Sequence, residues 1–335
     1  MQEFISSYCV CQVPAEDREK HILDKHVSEI LENRLKPVFK RQTQIHPVLS
    51  HQPEPRYRAA YEYDLHENQE WKIGNTLDIL LWITIDLEKN LHLIIPPVLI
   101  VLDDVDIEYK EYGVKMVHGI VKKLDSNHIS KFGLDNVFFE SLFKCLYRLS
   151  QDRDIEILKL TYPCILDLIG SIKNERTRSG FYERVLTDGI MTGYQHAGQK
   201  IKFLPILLQP IATIYDAIGA IGVQYLKAII PILCDSMSMI SSNNEIIQGT
   251  NQLAAESLIT VIKKCWPRIP AYEGVIMQTL AKSWSYNLTN KDTKMCGTLK
   301  QLYTVFEAAC QGQEIADKEA LIAYNPSVYE PLFCE

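Results

Sequence analysis

At 335 residues with 47% hydrophobic side chains, the chain carries ample apolar surface for one large body or two ordinary domains, which excludes disorder as its main state. A formal net charge of −7 and a pI near 5.8 remove any global positive field that would draw it onto nucleic acid or anionic lipid. Nine cysteines, an odd number dispersed in apolar surroundings such as Cys145, Cys164, Cys234, Cys265 and Cys310, are the usage of a reducing compartment.

The chain begins MQEFISSYCVCQ, with no basic stretch and no continuous apolar core, so no export signal is expected. Cys9 and Cys11 form a lone C-x-C without a second pair at zinc spacing and read as ordinary thiols. Residues 1–40 are read as an amino-terminal block holding one helix from about Glu16 to Leu35. Residues 41–58, with Pro47, Pro53 and Pro55 among polar neighbours, are read as an exposed loop, and residues 59–335 as a single helical body. His46, His51 and His66 sit in exposed, charged surroundings with no paired acid and nucleophile, and read as solvated side chains.

From there helical spacing recurs to the end, and alternating strand patterns are almost absent. Phe138, Leu142, Cys145 and Leu149 share one face. Ile155, Leu158, Tyr162, Ile165 and Ile169 form a second stripe, and Ala254, Leu258, Val261 and Cys265 a third. Two segments, Leu77 to Leu87 and Leu91 to Leu102, are apolar on most of their circumference and need cover on both sides, as a layered array of helix pairs provides. Pro97, Pro163, Pro205 and Pro231 each precede aliphatics and are read as helix starts, where the missing N–H costs nothing. The fold class predicted is all-α, a degenerate helical-repeat solenoid of the HEAT/armadillo kind.

Asp103, Asp104 and Asp106 raise the one metal question. Magnesium-dependent prenyl-transfer chemistry on a helical fold needs a second, opposed acid motif and basic groups for a diphosphate, and no such partner motif follows. The other reading is a structural hinge: Asp103 and Asp104 end one helix, Asp106 caps the next with its carboxylate, and Gly113 starts that helix's inward stripe. A magnesium enzyme using Asp103 and Asp104 stays as the alternative. No hydrolase, zinc-protease or nucleotide-loop signature is present, and Gly219 and Gly222 read as close-packing positions. Neither a metal nor an organic cofactor is expected.

Three further segments carry candidate roles. Lys173 to Arg184 is basic, and Arg176 and Arg178 within it are candidate contacts for an acidic partner segment or RNA, against the plainer reading of a solvated surface between repeats. Phe203 to Leu226 is apolar enough to suggest a membrane span, but its prolines, glycines and Asp216 fit a buried helix pair broken near Asp216 better. In WPRIPAY, residues 266 to 272, two prolines stop one helix and start another while Trp266, Arg268 and Tyr272 project. These residue types anchor interfaces, and with Trp284 they form the candidate partner-binding set; the alternative is that Trp266 and Tyr272 plug adjacent repeats with Arg268 stacked on them.

The segments IIPPVLIVLDDVDIEYKEYGVKMVHGIVKKL from Ile94, FYERVL from Phe181, and CWPRIPAYEGVIM with LAKSWSYNL from Cys265 to Leu288 resemble the TELO-two-interacting protein two family. That family supplies the small subunit of the TTT (Triple T) co-chaperone complex. The resemblance implies a non-enzymatic α-solenoid scaffold without cofactors, acting in cytoplasm and nucleus. Its implied partners are the TELO-two protein, the large TELO-two-interacting subunit, and the heat-shock-ninety chaperone with its R-two-T-P adaptor. The clients would be phosphatidylinositol-kinase-related kinases, and with them target-of-rapamycin signalling, the DNA-damage checkpoint and telomere maintenance. Composition alone leaves a transport or vesicle-coat solenoid open as another helical-repeat reading.

Overall fold

A computed structural model describes residues 14, 17–39, 70–84, 90–240, 244–310 and 315–333. Cys9, Cys11, the loop 41–58, His46, His51 and His66 lie outside the described residues. Among those described the fold is all-α, without a strand. The chain divides into two compact units, residues up to Leu142 and residues from Phe143. That boundary falls inside the stretch that composition reads as one body.

In the first unit, α1 (Arg18–Ile30) runs through a π-helical turn, Leu31–Leu35, into α2 (Lys36–Phe39). A 3₁₀ turn at Glu70–Lys72 leads to α3 (Thr76–Ile83), α4 (Leu91–Leu102), α5 (Ile107–Lys123) and α6 (Ser126–Lys131). α7 (Leu134–Cys145) carries the boundary. The apolar circumference of α4 is covered from two sides: α5 packs on one, and α2 with the π turn on another. Ile94, Val98, Val101 and Leu102 are fully buried as a result.

In the second unit, α8 (Asp154–Ser171) and α9 (Glu175–Arg184) pack on each other. After a π turn at Val185–Met191 and α10 (Thr192–Ala197) come α11 (Leu204–Ile218), a 3₁₀ turn at Gly219–Tyr225 and α12 (Leu226–Met237). Then follow α13 (Glu245–Cys265), a 3₁₀ turn at Trp266–Tyr272, α14 (Glu273–Thr289) and α15 (Thr293–Ala309), and last α16 (Ala316–Tyr324) and α17 (Pro326–Phe333). Alternate helices stack: α9, α11, α13 and α15 form one row, and α12 with α14 the other, which α17 extends from three helices further on. Neighbours in sequence also pair across the rows, α12 with α13 and α14 with α15. This two-row stacking is the plan of a helical-repeat solenoid, each helix burying one face within its pair and another against the next pair. The three predicted stripes are buried throughout.

The prolines correct the repeat reading. Only Pro205 stands in a first helical turn; Pro97 lies inside α4, Pro163 inside α8 and Pro231 inside α12. An interior proline costs about 3 kcal/mol through one lost hydrogen bond and a ring clash. In α8 that cost is opposed by Ile155, Ile157, Leu158, Ile165, Leu168 and Ile169, all buried, at about 1.5–3 kcal/mol each. Packing therefore overrides the local penalty. The apolar stretch from Leu204 to Met237 is long enough by composition to cross a membrane. It folds instead as α11 and α12, broken at Gly219, three residues past Asp216, where φ of +55° lies in the left-handed region that a side chain disfavours.

Candidate functional site

The aspartates at the α4–α5 joint are held by a lysine from an earlier element. Lys72 Nζ reaches Asp104 Oδ2 at 3.0 Å and Asp106 Oδ2 at 3.1 Å, and lies 4.4 Å from the Tyr109 ring centroid. Burial alone would lower the Lys72 pKa, but hydrogen bonds and charge from Asp104 and Asp106 outweigh it and hold the ammonium above its ordinary value. Asp103 occupies the C-cap of α4, and Asp104 Oδ1 accepts the Asp106 backbone N–H at 2.8 Å. Asp106 stands at the N-cap of α5 by its backbone, yet its carboxylate accepts no helix N–H; Lys72 takes it instead. Lys110 Nζ donates to the Leu102 carbonyl at 2.6 Å, satisfying an open acceptor at the end of α4. Gly113 lies against the Leu102 backbone: a Cβ there would stand 2.4 Å from Leu102 Cα. Among the described residues no group of three or more His, Cys, Asp or Glu side chains could hold a metal ion.

Of the four residues predicted to dock a partner from the carboxy-terminal half, Trp284 is placed elsewhere. It is 2% exposed on α14, and its Nε1–H donates to the Val328 carbonyl of α17 at 2.6 Å. Tyr303 on α15 meets Phe333 edge-on with centroids 4.8 Å apart, and Glu307 accepts from both Tyr303 Oη (2.7 Å) and Lys318 Nζ (3.0 Å). Trp284 thus fastens the last helix to the array. A tryptophan whose ring is covered and whose single donor is used has nothing left to offer another chain.

The Trp266–Tyr272 turn is different. Ile269 is its one buried side chain, fully enclosed, and the turn that carries it packs against α13, α14 and α15. Trp266 is 45% exposed, Arg268 is exposed and Tyr272 half-buried. The plug is therefore the isoleucine, and Trp266 and Arg268 face solvent. Arg176 is exposed and Arg178 half-buried on α9, where Asn174 caps the helix by accepting the Thr177 N–H at 3.0 Å. α9 stacks on α11, and α11 on α13, at whose end Trp266 stands, so the two candidate groups lie on different members of one row.

With that arrangement in hand, comparison with known proteins is informative. The sequence profile of the Tti2 family matches residues 2–241, well over half of the chain. The chain belongs to the Tti2 family. Similar proteins include "TELO2-interacting protein 2" of Mus musculus, 23% identical over 201 residues, which is 58% of this chain and 38% of the mouse protein. The rat protein of the same name (Rattus norvegicus) is 22% identical over 202 residues, again 58% of this chain and 38% of its own. The chain thus covers 38% of the length of either relative. No solved structure matches. The Tti2 match includes the Asp103–Gly113 joint and Arg176 and Arg178. It ends before Trp266 and Trp284, so membership of the Tti2 family rests on the earlier segments.

Lys72, Lys110 and Ile269 were missed by sequence reasoning as site-shaping residues. Ile269 could have been found, as the lone aliphatic between two prolines. Lys72 meets its acids 32 and 34 positions away and left no local trace.

Proposed function

We propose that this chain is a non-enzymatic scaffold subunit of the TTT co-chaperone complex. It binds the TELO-two protein and the large TELO-two-interacting subunit through its helical rows. In cytoplasm and nucleus it helps the heat-shock-ninety and R-two-T-P machinery mature and stabilise phosphatidylinositol-kinase-related kinases. The observation that carries the proposal is Tti2 family membership. The stacked second unit supports it, since a helical array offers long rows of side chains to another protein. So does the joint at residues 103–113, where Asp104 and Asp106 pair with Lys72 and Asp104 also accepts a backbone amide, the structural use of these acids.

Trp266 and Arg268 are the contacts proposed, with Arg176 and Arg178 as a secondary set. The test is affinity purification of the tagged chain from cells with quantitation of the two other TTT subunits. Recovery should drop sharply for Trp266→Ala with Arg268→Ala, since losing an interface anchor costs over ~2 kcal/mol of binding. Unchanged recovery from a variant that melts like wild type would overturn the docking assignment, and absence of both subunits from the wild-type sample would overturn the complex.

A further inference from the structure

Two 3₁₀ turns, Gly219–Tyr225 and Trp266–Tyr272, are fastened side by side in the second unit. The Cys265 thiol sits 3.9 Å from the Gly219 carbonyl, and Lys264 Nζ pairs with Asp216 Oδ1 at 3.0 Å. Tyr215 Oη donates to the Gly222 carbonyl at 3.2 Å, and its ring covers Gly222 so closely that a Cβ would stand 2.5 Å from Cε1. Each turn buries one residue, Gly222 in the first and Ile269 in the second. Several of the other residues face solvent, among them Ala220 and Ile221 from one turn and Trp266, Pro267 and Ala271 from the other, with Ile221 and Trp266 each 45% exposed.

The charges around this edge have an uneven distribution of partners. Asp216 is engaged by Lys264, and Glu183 accepts from Gln224 Nε2 and Tyr225 Oη. Glu273 is half-buried beside Cys310. Lys227, Lys263 and Arg268 are exposed, and among the described residues none is engaged by an acid in an ion pair. A chain with a net charge of −7 therefore presents here an apolar edge bordered by three cations whose charges are not spent internally.

We propose that this edge binds an acidic protein segment in which carboxylates flank an aromatic or aliphatic side chain. The apolar side chain lies between Ile221 and Trp266, and the carboxylates meet Arg268, Lys263 and Lys227. Carboxylate pairing suits arginine's planar fork, and charge matching steers encounter and excludes basic or uncharged sequences. The inference deepens the docking role given above to Trp266 and Arg268 by naming the chemistry of what docks.

The test is selection of short random peptides displayed on phage against the intact, immobilised chain, followed by anisotropy titration of an enriched peptide. The enriched set should combine an excess of Asp and Glu with a central apolar residue. Binding should weaken about tenfold or more in Arg268→Glu and in Ile221→Asp, as for loss of an interface anchor, and should also weaken as salt rises. Lys282→Glu, on the exposed surface of α14, should leave it unchanged. An enriched set without acidic excess, no enrichment, or indifference to both edge variants in folded protein would overturn the proposal. So would edge-dependent binding of labelled oligouridine in a selection that yields no acidic peptide. Because the selection uses the chain alone, its failure leaves membership of the TTT complex standing. Failed co-purification beside a successful selection removes the complex and keeps the edge.

Discussion

Trp284 and Trp266 stand eighteen positions apart in the second unit, and their surroundings are opposite. Trp284 lies mid-way along α14, roofed by α17 with its N–H bonded to a carbonyl; Trp266 opens a 3₁₀ turn whose plug is Ile269. The side chain is the same, so the difference comes from the backbone beneath it. A helix stacked on both neighbours aims its apolar residues inward, whereas a proline-bounded 3₁₀ turn has one inward position and aims the others out. An interface-prone residue type therefore becomes an interface candidate only where the turn, rather than the repeat, decides its direction.

The strongest way to break this contrast is Trp284→Ala. It empties a closed site and strands the Val328 carbonyl, so thermal or urea unfolding should show a loss of about 3–5 kcal/mol. A loss under ~1 kcal/mol would mean that α17 is not fastened there. Gly222→Ala should cost about 1–3 kcal/mol, because the new methyl meets the Tyr215 ring, which is itself fully buried. Wild-type stability would show that the Tyr215 ring is not closed over Gly222.

A third, smaller effect is acid-dependent. The Tyr303 hydroxyl first, and Lys318 with it, hold the Glu307 carboxylate below its ordinary pKa of 4.5 against the opposing effect of burial. A depressed carboxylate stabilises the fold above its unfolded pKa, and that contribution is lost as pH falls through the depressed value. Amide exchange in α16 and α17 should accelerate as pH is lowered below about 4.5, once the intrinsic pH effect is removed, and Glu307→Gln should abolish the trend. The least effect belongs to Trp266→Ala, which should change unfolding free energy by no more than ~0.5 kcal/mol, as for a surface position, while removing partner binding. Large destabilisation would place Trp266 in the core and erase the contrast.

Much of the fold was legible because helical periodicity is local: the stripes through Phe138, Ile155 and Ala254 are buried as read. Helix starts were less legible. Pro97, Pro163 and Pro231 obey a local rule that stacked neighbours override, and only Pro205 keeps it. The site divides along the same line. The exposed pair Trp266 and Arg268 follows from Pro267 and Pro270, which bracket the buried Ile269 within four residues, whereas the Trp284–Val328 bond spans 44 positions. The carboxylate of Asp106 likewise left its expected helix N–H groups for Lys72, 34 positions earlier. Bonds of that reach are made by the stacking, which no window of neighbouring letters contains.

At Gly113 the backbone of one helix rests on that of another, with no cushion of side chains in between. Side chains are what lets neighbouring helices slide, since they exchange rotamers as the axes shift; where main chain bears on main chain, there is no such lubricant. Under load from a bound partner, α4 and α5 should tilt together as one stiff lever, and any bending must be taken up at their far ends.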